Sequence, residues 1–176
     1  MNYRFEYDAL GRKTKVFVGD QLLSENVYQN DREAANYGTL TQMEYGNGTV
    51  VKNEYDDFNR VTGITYGSKS EGDEAATFEE NPRYEYDYNA NGQVAYVKNN
   101  LLQQVTESEY DLCNRPCRVK THQYSANTDG VLTYADHIYT GEVAYDNKFG
   151  RLSKFTEQVG DSYAGWFGST YTEFDD

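Results

Sequence analysis

Aromatic and charged residues alternate over several short segments of this chain. From Tyr3 to Tyr7, and again from Tyr84 to Tyr88, every second residue is Tyr or Phe and the residues between are charged. A period of two is typical of a β-strand with one buried face, so both segments are predicted strands whose aromatic face is buried. No segment sustains the period of 3.6 that an amphipathic helix requires.

A short motif ends many of these segments and recurs along the chain. It consists of Tyr, then Asp or Asn, then a spacer, then Gly or Asn, and in most copies Arg. Asp or Asn can accept hydrogen bonds from turn N–H groups, and Gly or Asn tolerates the positive φ of a tight turn. The copies are Tyr7, Asp8, Gly11, Arg12; Tyr55, Asp56, Asn59, Arg60; Tyr88, Asn89, Gly92; Tyr110, Asp111, Asn114, Arg115; and Tyr145, Asp146, Gly150, Arg151.

Each copy therefore predicts a strand, a turn and a second strand, which is a β-hairpin. Looser copies are anchored at Tyr28, which is followed by Asn30, Asp31 and Arg32, and at Phe174. The anchors lie roughly 20–35 residues apart, as in repeat proteins. The predicted fold is all-β, an antiparallel meander of repeated β-hairpins that forms a curved, shell-wall-like sheet. Residues 1–176 are expected to form a single array of about six to seven repeats, truncated in the last one. Residues 68–82 are expected to form an acidic loop between repeats.

The amino-acid composition and net charge disfavour some classes of function. The chain of 176 residues has 18 Tyr and 8 Phe, while isoleucine occurs only as Ile64 and Ile138. We therefore expect an aromatic core with wet margins. The net charge of −13 disfavours a nucleic-acid partner, because the phosphate backbone would be repelled. No stretch is long and apolar enough to span a membrane, and the segment carries no signal peptide.

Neither a catalytic nor a metal site is expected. Cys113 and Cys117 cannot form a four-ligand zinc site alone; a disulfide between them is open, but a reduced apolar role is favoured because only one repeat has them. His122 and His137 are expected in exposed loops, and no cofactor is indicated. Carboxylates are plentiful, but no pair is singled out for glycoside hydrolysis.

One aromatic cluster allows two interpretations. Tyr163, Trp166 and Phe167 could stack on sugar rings if they are exposed on a rigid sheet. They could equally pack between hairpins, and a sheet so poor in aliphatic residues favours packing. Glycans are thus a possible partner.

The repeated Tyr-Asp-x-x-Gly/Asn-Arg motif resembles that of the YD-repeat or Rhs (rearrangement hot spot) family. The segment from Tyr45 through Gly46, Asn47 and Gly48 to Tyr55-Asp56 is similar to the paired turn and Tyr-Asp unit of that family. The resemblance implies a β-sheet that spirals into a hollow shell, which in bacterial members contains a C-terminal toxin domain. Similar repeats occur in animal cell-surface adhesion proteins, and the repeats have been described as carbohydrate-binding.

These observations together favour a structural role and no enzymatic activity. We expect a repeat module in the wall of a Rhs-type shell that encapsulates or presents a toxin or effector within a larger secreted or surface bacterial protein. The partners would be the rest of the parent polypeptide and a C-terminal toxin cargo. The alternative is a carbohydrate-binding adhesin module at the cell surface. Open sheet edges also predict edge-to-edge association between copies.

Overall fold

The fold is all-β, as the alternating pattern predicts. The structure is a computed structural model, and it describes residues 2–126, 132–145 and 152–159. Within these ranges there are strands and turns but no helix. The chain divides after Glu85 into two compact units, each of which is a meander. Whether the repeats act as a single array stays a prediction.

The described ranges contain thirteen strands. They are β1 Tyr3–Tyr7, β2 Lys13–Val18, β3 Gln21–Tyr28, β4 Leu40–Tyr45, β5 Thr49–Tyr55, β6 Val61–Ser68, β7 Thr77–Phe78, β8 Tyr84–Tyr88, β9 Val94–Asn99, β10 Gln104–Tyr110, β11 Pro116–Ala126, β12 Leu132–Tyr145 and β13 Leu152–Val159.

Neighbouring strands in the sequence are neighbours in the sheet. In the first unit the order is β1-β2-β3-β4-β5-β6; Tyr84 and Glu85 at the start of β8 pair with β6, and so does the short β7. In the second unit β9 to β13 follow one another, and every recorded pair is antiparallel. The expected antiparallel meander of hairpins is thereby confirmed. Strands that follow one another through short turns need little loop-closure entropy to pair.

The turn at Asp8 shows how one motif copy closes its hairpin. The N–H of Gly11 donates to the carbonyl of Asp8 at 3.0 Å, and the N–H of Asp8 donates to the carbonyl of Arg12 at 3.0 Å. Gly11 has a φ of 76°, and the register shifts by one residue between Glu6 and Tyr7. The hydrogen bonds and Gly11 define a three-residue loop that ends in a left-handed residue, which matches the twist of the flanking strands. The register shift is a separate bulge, because Thr14 has no partner between Lys13 and Lys15. The left-handed residue of the other described copies is Asn59, Gly92 or Asn114, with φ of 61°, 78° and 62°.

The core is smaller and less aromatic than the composition suggests. Among described residues the buried apolar side chains are Val50, Val105 and Tyr124. The aromatic face of β1, for which the alternating pattern predicts burial, is exposed: Phe5 is 46% exposed and Tyr7 is 60% exposed. Burial in a sheet requires a neighbour on each side or a second layer above, and β1 pairs with β2 alone among the described strands.

The acidic segment between β6 and β8 contains one element that its composition does not reveal. Thr77 and Phe78 form β7, which pairs with Gly67 and Ser68 at the end of β6. A side chain at Gly67 would meet the carbonyl oxygen of Thr77 at 2.5 Å, so glycine permits this close pairing.

Candidate functional site

The recurring geometry of this protein is a turn that is organised by one carboxylate. Oδ1 of Asp8 accepts hydrogen bonds from the backbone N–H groups of Leu10 and Arg12, both at 2.9 Å. Its Oδ2 accepts from Nε of Arg12 at 2.7 Å. One side chain therefore satisfies two turn N–H groups and holds the guanidinium in a fixed direction.

Two further copies repeat this arrangement. Asp56 accepts from the N–H groups of Phe58 and Arg60, and from Nε of Arg60 at 2.6 Å. Asp111 accepts from the N–H groups of Cys113 and Arg115, and from Nε of Arg115 at 2.8 Å.

A fourth copy makes the same contacts without charge. Oδ1 of Asn89 accepts from the N–H groups of Asn91 and Gln93, both at 3.0 Å, and Nδ2 of Asn89 donates to Oε1 of Gln93 at 2.9 Å. The Asn89–Gln93 pair is thus a neutral equivalent of Asp8–Arg12. The ion pair is accordingly dispensable to the turn geometry, whereas the acceptor for the N–H groups is present in all four copies.

The hydrogen bonds make the turn carboxylates more acidic. Partial desolvation would raise the pKa of Asp8 and Asp56, but the hydrogen bonds from the arginine side chain and the turn N–H groups outweigh it, and each pKa lies below its ordinary value. For Asp111 the backbone and side-chain hydrogen bonds of Arg115 are the largest influences, and they lower its pKa against a smaller desolvation effect.

In several copies of the motif the anchor tyrosine links its hairpin to the preceding one. The hydroxyl of Tyr28 donates to the carbonyl of Lys13 at 2.9 Å, and Lys13 is the residue that follows the motif Arg12. The hydroxyl of Tyr110 donates to the carbonyl of Val94 at 2.8 Å, and that of Tyr145 donates to the carbonyl of Pro116 at 2.9 Å. Each acceptor begins the second strand of the preceding hairpin.

In two copies the guanidinium of the motif arginine also stacks on the ring of the same tyrosine. The guanidinium carbon of Arg12 lies 4.5 Å from the ring centroid of Tyr28, and that of Arg115 lies 4.0 Å from the ring centroid of Tyr145. Stacking of a guanidinium on an aromatic face is favourable, and it requires the planar group that Asp8 and Asp111 orient. We call this set of contacts the repeat clamp: a turn acid, its arginine, and the ring and hydroxyl of the next anchor tyrosine.

The turn that follows Tyr28 is closed by residues other than those that the motif predicts. The motif aligns Asn30, Asp31 and Arg32 with the turn after Tyr28, yet the turn is closed by residues further on. The N–H of Gln29 donates to the carbonyl of Thr39, and the N–H of Gly38, whose φ is 86°, donates to the carbonyl of Gln29. These two bonds are equivalent to the two backbone bonds that close the turn at Asp8.

The Tyr28 copy is therefore a hairpin turn with an inserted loop. The residue after its closing Thr39 is Leu40, and its carbonyl accepts from the hydroxyl of Tyr55 at 2.7 Å and from Nδ2 of Asn53 at 3.0 Å. Burial raises the pKa of Tyr55, against the opposing hydrogen bond of Asn53. The sequence signal that could have revealed this is Gly38, which stands two residues before β4 as Gly11 stands two residues before β2.

The two cysteines and the two histidines lie in the turn after Tyr110 and on β11 and β12. Cys113 is exposed at the tip of its turn, where side chains point to solvent, and Cys117 is half-buried; both are free thiols. His122 and His137, expected in loops, are instead register partners on β11 and β12, because these strands extend further than their motifs indicate. In the ranges given above there is no cluster of metal-ligating side chains.

Part of the expected site lies outside the described residues. This applies to Asp146, Gly150 and Arg151 of the last full motif, and to Tyr163, Trp166 and Phe167 of the aromatic cluster.

An open cleft lies within the first unit, beside the turn that joins β4 and β5. It has a volume of about 700 Å³ and is lined by residues 44–50 and 68–73. Lys69, in the second of these segments, contacts two residues of the first. The N–H of Lys69 donates to the carbonyl of Gly48 at 2.8 Å, and the Nζ of Lys69 lies 3.3 Å from Oε2 of Glu44. Lys69, the cation in the lining of this cleft, is therefore already paired with Glu44.

The meander and its repeat clamps define a class of protein, the antiparallel β-hairpin repeat modules. Solved structures with this fold come from Tc toxins. A chain of the Photorhabdus luminescens Tc holotoxin pore with a mutation in TccC3 is 17% identical, with a TM-score of 0.62, over 96% of this chain and 8% of that one. A chain of TcdB2-TccC3-TEV is 18% identical, with a TM-score of 0.64, over 96% of this chain and 8% of that one.

A chain of TcdB2-TccC3-Cdc42 is 12% identical, with a TM-score of 0.51, over 89% of this chain and 9% of that one. This chain thus spans less than a tenth of the length of the solved chains it matches. No family model matches the sequence, and no curated protein does. The likeness lies in the fold, and it is consistent with the resemblance of the motifs to Rhs-type repeats. Within the described ranges no helix is long and apolar enough to cross a membrane.

Proposed function

We propose that this chain is a structural module of a Rhs-type shell wall, within a larger bacterial secreted or surface protein that encapsulates or presents a toxin or effector. The observation that carries the proposal is the repeat clamp. The groups that would be candidates for catalysis or ligand binding, such as Asp111, Arg115 and the Tyr145 hydroxyl, are used in contacts between successive hairpins.

The likeness to chains of Tc toxins supports the same proposal, since it covers nearly all of this chain. The proposed mechanism is geometric. Each clamp fixes the spacing of two hairpins through their side chains as well as through the strand ladder. A wall built in this way can exclude proteases from an enclosed segment without a specific contact to that segment.

The experiment is limited proteolysis of the full polypeptide that carries this chain. We expect the segment that follows the repeats to be digested far more slowly within the intact polypeptide than as a separately purified segment. Removing two clamp groups, by Arg115→Ala with Tyr145→Phe, should shorten this protection. Arg118→Ala, which removes a half-buried arginine that pairs with the exposed Glu109 and Glu142, is the matched control. Equal digestion of the enclosed and the separate segment would refute encapsulation.

The carbohydrate-binding alternative depends on Tyr163, Trp166 and Phe167, and no observation on the described residues favours it. No enzymatic function is proposed.

A further inference from the structure

The dipeptide Asn-Gly occurs twice in this chain, as Asn47-Gly48 and as Asn91-Gly92. Each copy lies in a turn, and both asparagines are exposed. The two glycines have φ of 84° and 78°, and the N–H of each donates to the carbonyl three residues earlier, at 2.9 Å in both turns. The two sites therefore share the same dipeptide, similar exposure and the same backbone hydrogen bond.

The two turns differ in their first residue, which determines the acceptor for the N–H group at the end of the turn. In one turn, Oδ1 of Asn89 accepts from the N–H of Gln93 at 3.0 Å. The other turn begins with Tyr45, whose side chain has no carbonyl or carboxylate oxygen. There the N–H of Thr49 donates to Oδ1 of Asn47 at 3.0 Å. Because Tyr stands at the start of this turn, its last N–H bonds to the side chain of the reactive asparagine.

The hydrogen bond from Thr49 favours attack on the side-chain amide of Asn47. It closes a ring that contains both Cγ of Asn47 and the backbone nitrogen of Gly48, and it holds the side chain over the backbone of the turn. It also donates to the oxygen on which negative charge develops when that nitrogen attacks Cγ. At the other site Nδ2 of Asn91 donates to Oδ1 of Asn114 at 2.9 Å, so the group that would leave is held by another turn.

We propose that Asn47 is a site of spontaneous modification, at which the backbone nitrogen of Gly48 attacks the side-chain amide. The nitrogen loses its proton to solvent and bonds to Cγ, and the Cγ–Nδ2 bond breaks with release of ammonia. Water then adds to one of the two carbonyl carbons of the resulting succinimide and opens the ring, which leaves aspartate or isoaspartate at position 47. This inference goes beyond the proposed function, because the chain reacts with water alone and requires no cargo.

The modification changes a closely packed turn. A Cβ at Gly46 would lie 2.1 Å from the backbone oxygen of Leu22, and a Cβ at Gly48 would lie 2.7 Å from that of Lys69. Isoaspartate lengthens the backbone of the turn by one carbon, so it fits only if β3 or Lys69 moves. Aspartate keeps the backbone length and adds a negative charge to the cleft that residues 44–50 and 68–73 line.

The test is peptide mapping by mass spectrometry of the whole chain during incubation at mildly alkaline pH. We expect the acidic products to form at position 47 about five to ten times faster than at position 91, the effect of roughly one net hydrogen bond on a rate. The rate at position 47 should rise with pH, because the attacking nitrogen must lose its proton. The control is the same chain unfolded in urea, in which both sites lose their turn contacts and should react at similar rates.

Two variants test the cause of the difference. Tyr45→Asp supplies the turn acceptor that the motif copies have, and it should slow the reaction of Asn47 more than Tyr45→Glu, which adds the same charge on a longer side chain. Asn114→Gly removes the partner of Asn91, tolerates the positive φ of 62° at that position and should accelerate the reaction of Asn91. Equal rates at the two sites of the folded chain, or a faster reaction at Asn91, would overturn the proposal. The same difference in urea would also overturn it, because local sequence would then be the cause.

Discussion

The guanidinium of Arg115 lies 4.0 Å from the ring centroid of Tyr145, and the hydroxyl of that ring donates to the carbonyl of Pro116, the residue after the arginine. Two adjacent residues of one hairpin thus hold the face and the tip of one tyrosine in the next. Arg12 and Lys13 hold Tyr28 in the same way. The same contact therefore occurs once in each unit, whereas the guanidinium of Arg60 lies 5.0 Å from the ring of Phe58 in its own turn.

Removal of an anchor hydroxyl should weaken the fold through a single hydrogen bond. In Tyr110→Phe the carbonyl of Val94 loses its donor while the ring remains, and we expect a loss of about 1 kcal/mol in the free energy of unfolding. Urea denaturation followed by circular dichroism measures this. The matched control is Tyr7→Phe, because no hydrogen bond of the described residues involves the Tyr7 hydroxyl. Equal effects of the two variants would contradict a stabilising role of this hydrogen bond.

The turn acid should stabilise the fold more through the hydrogen bonds that it accepts than through its charge. Asp56→Asn keeps an oxygen for the N–H groups of Phe58 and Arg60, whereas Asp56→Ala removes it. We expect Asp56→Ala to lower the thermal midpoint by on the order of a few degrees, and Asp56→Asn to lower it less. The natural pair Asn89–Gln93 already shows that a neutral turn can form. A larger fall for Asp56→Asn than for Asp56→Ala would contradict this prediction.

Stability should decline in acid because of three turn carboxylates. The folded-state pKa values of Asp8, Asp56 and Asp111 lie below the unfolded value of about 3.9. Their contribution is fully present above that unfolded value and is lost as the pH falls through the folded pKa. Urea midpoints measured from pH 7 downward should therefore fall most steeply below about pH 4.

The matched variant for this measurement replaces all three acids by asparagine. Its unfolding midpoint should change less in the acid range than that of the wild type. If both proteins lose stability in parallel, other carboxylates govern the acid response.

Two glycine substitutions should distinguish the stability cost of a left-handed backbone conformation from the cost of a steric clash. Gly11 has a positive φ, and the space that a methyl group would occupy there is open, so Gly11→Ala should cost only the left-handed conformation, about 1–2 kcal/mol. At Gly46 a Cβ would lie 2.1 Å from the backbone oxygen of Leu22, which cannot move without displacing β3. Gly46→Ala should therefore lower the thermal midpoint further than Gly11→Ala does. The reverse order would contradict the close approach at Gly46.

Local features of the fold could be predicted from the sequence because they depend on few neighbouring residues. A period of two defines a strand, and an acid followed by a left-handed Gly or Asn closes a tight turn, whatever the rest of the chain does. These rules locate Tyr7, Asp8 and Gly11, and they predict the antiparallel meander. They fail at Tyr28, because the inserted loop separates Gln29 from Gly38 and Thr39.

The sequence by itself therefore determined most of the strands, most of the turns and the identity of the repeated residues. Only the tertiary structure decided which partners those residues meet: Arg115 the ring of Tyr145, and the Tyr55 hydroxyl the carbonyl of Leu40. It also decided that the rings of β1 are exposed while Val50 and Val105 are buried. The physical reason is that burial and pairing between hairpins depend on which strands lie side by side, and no local pattern contains that information.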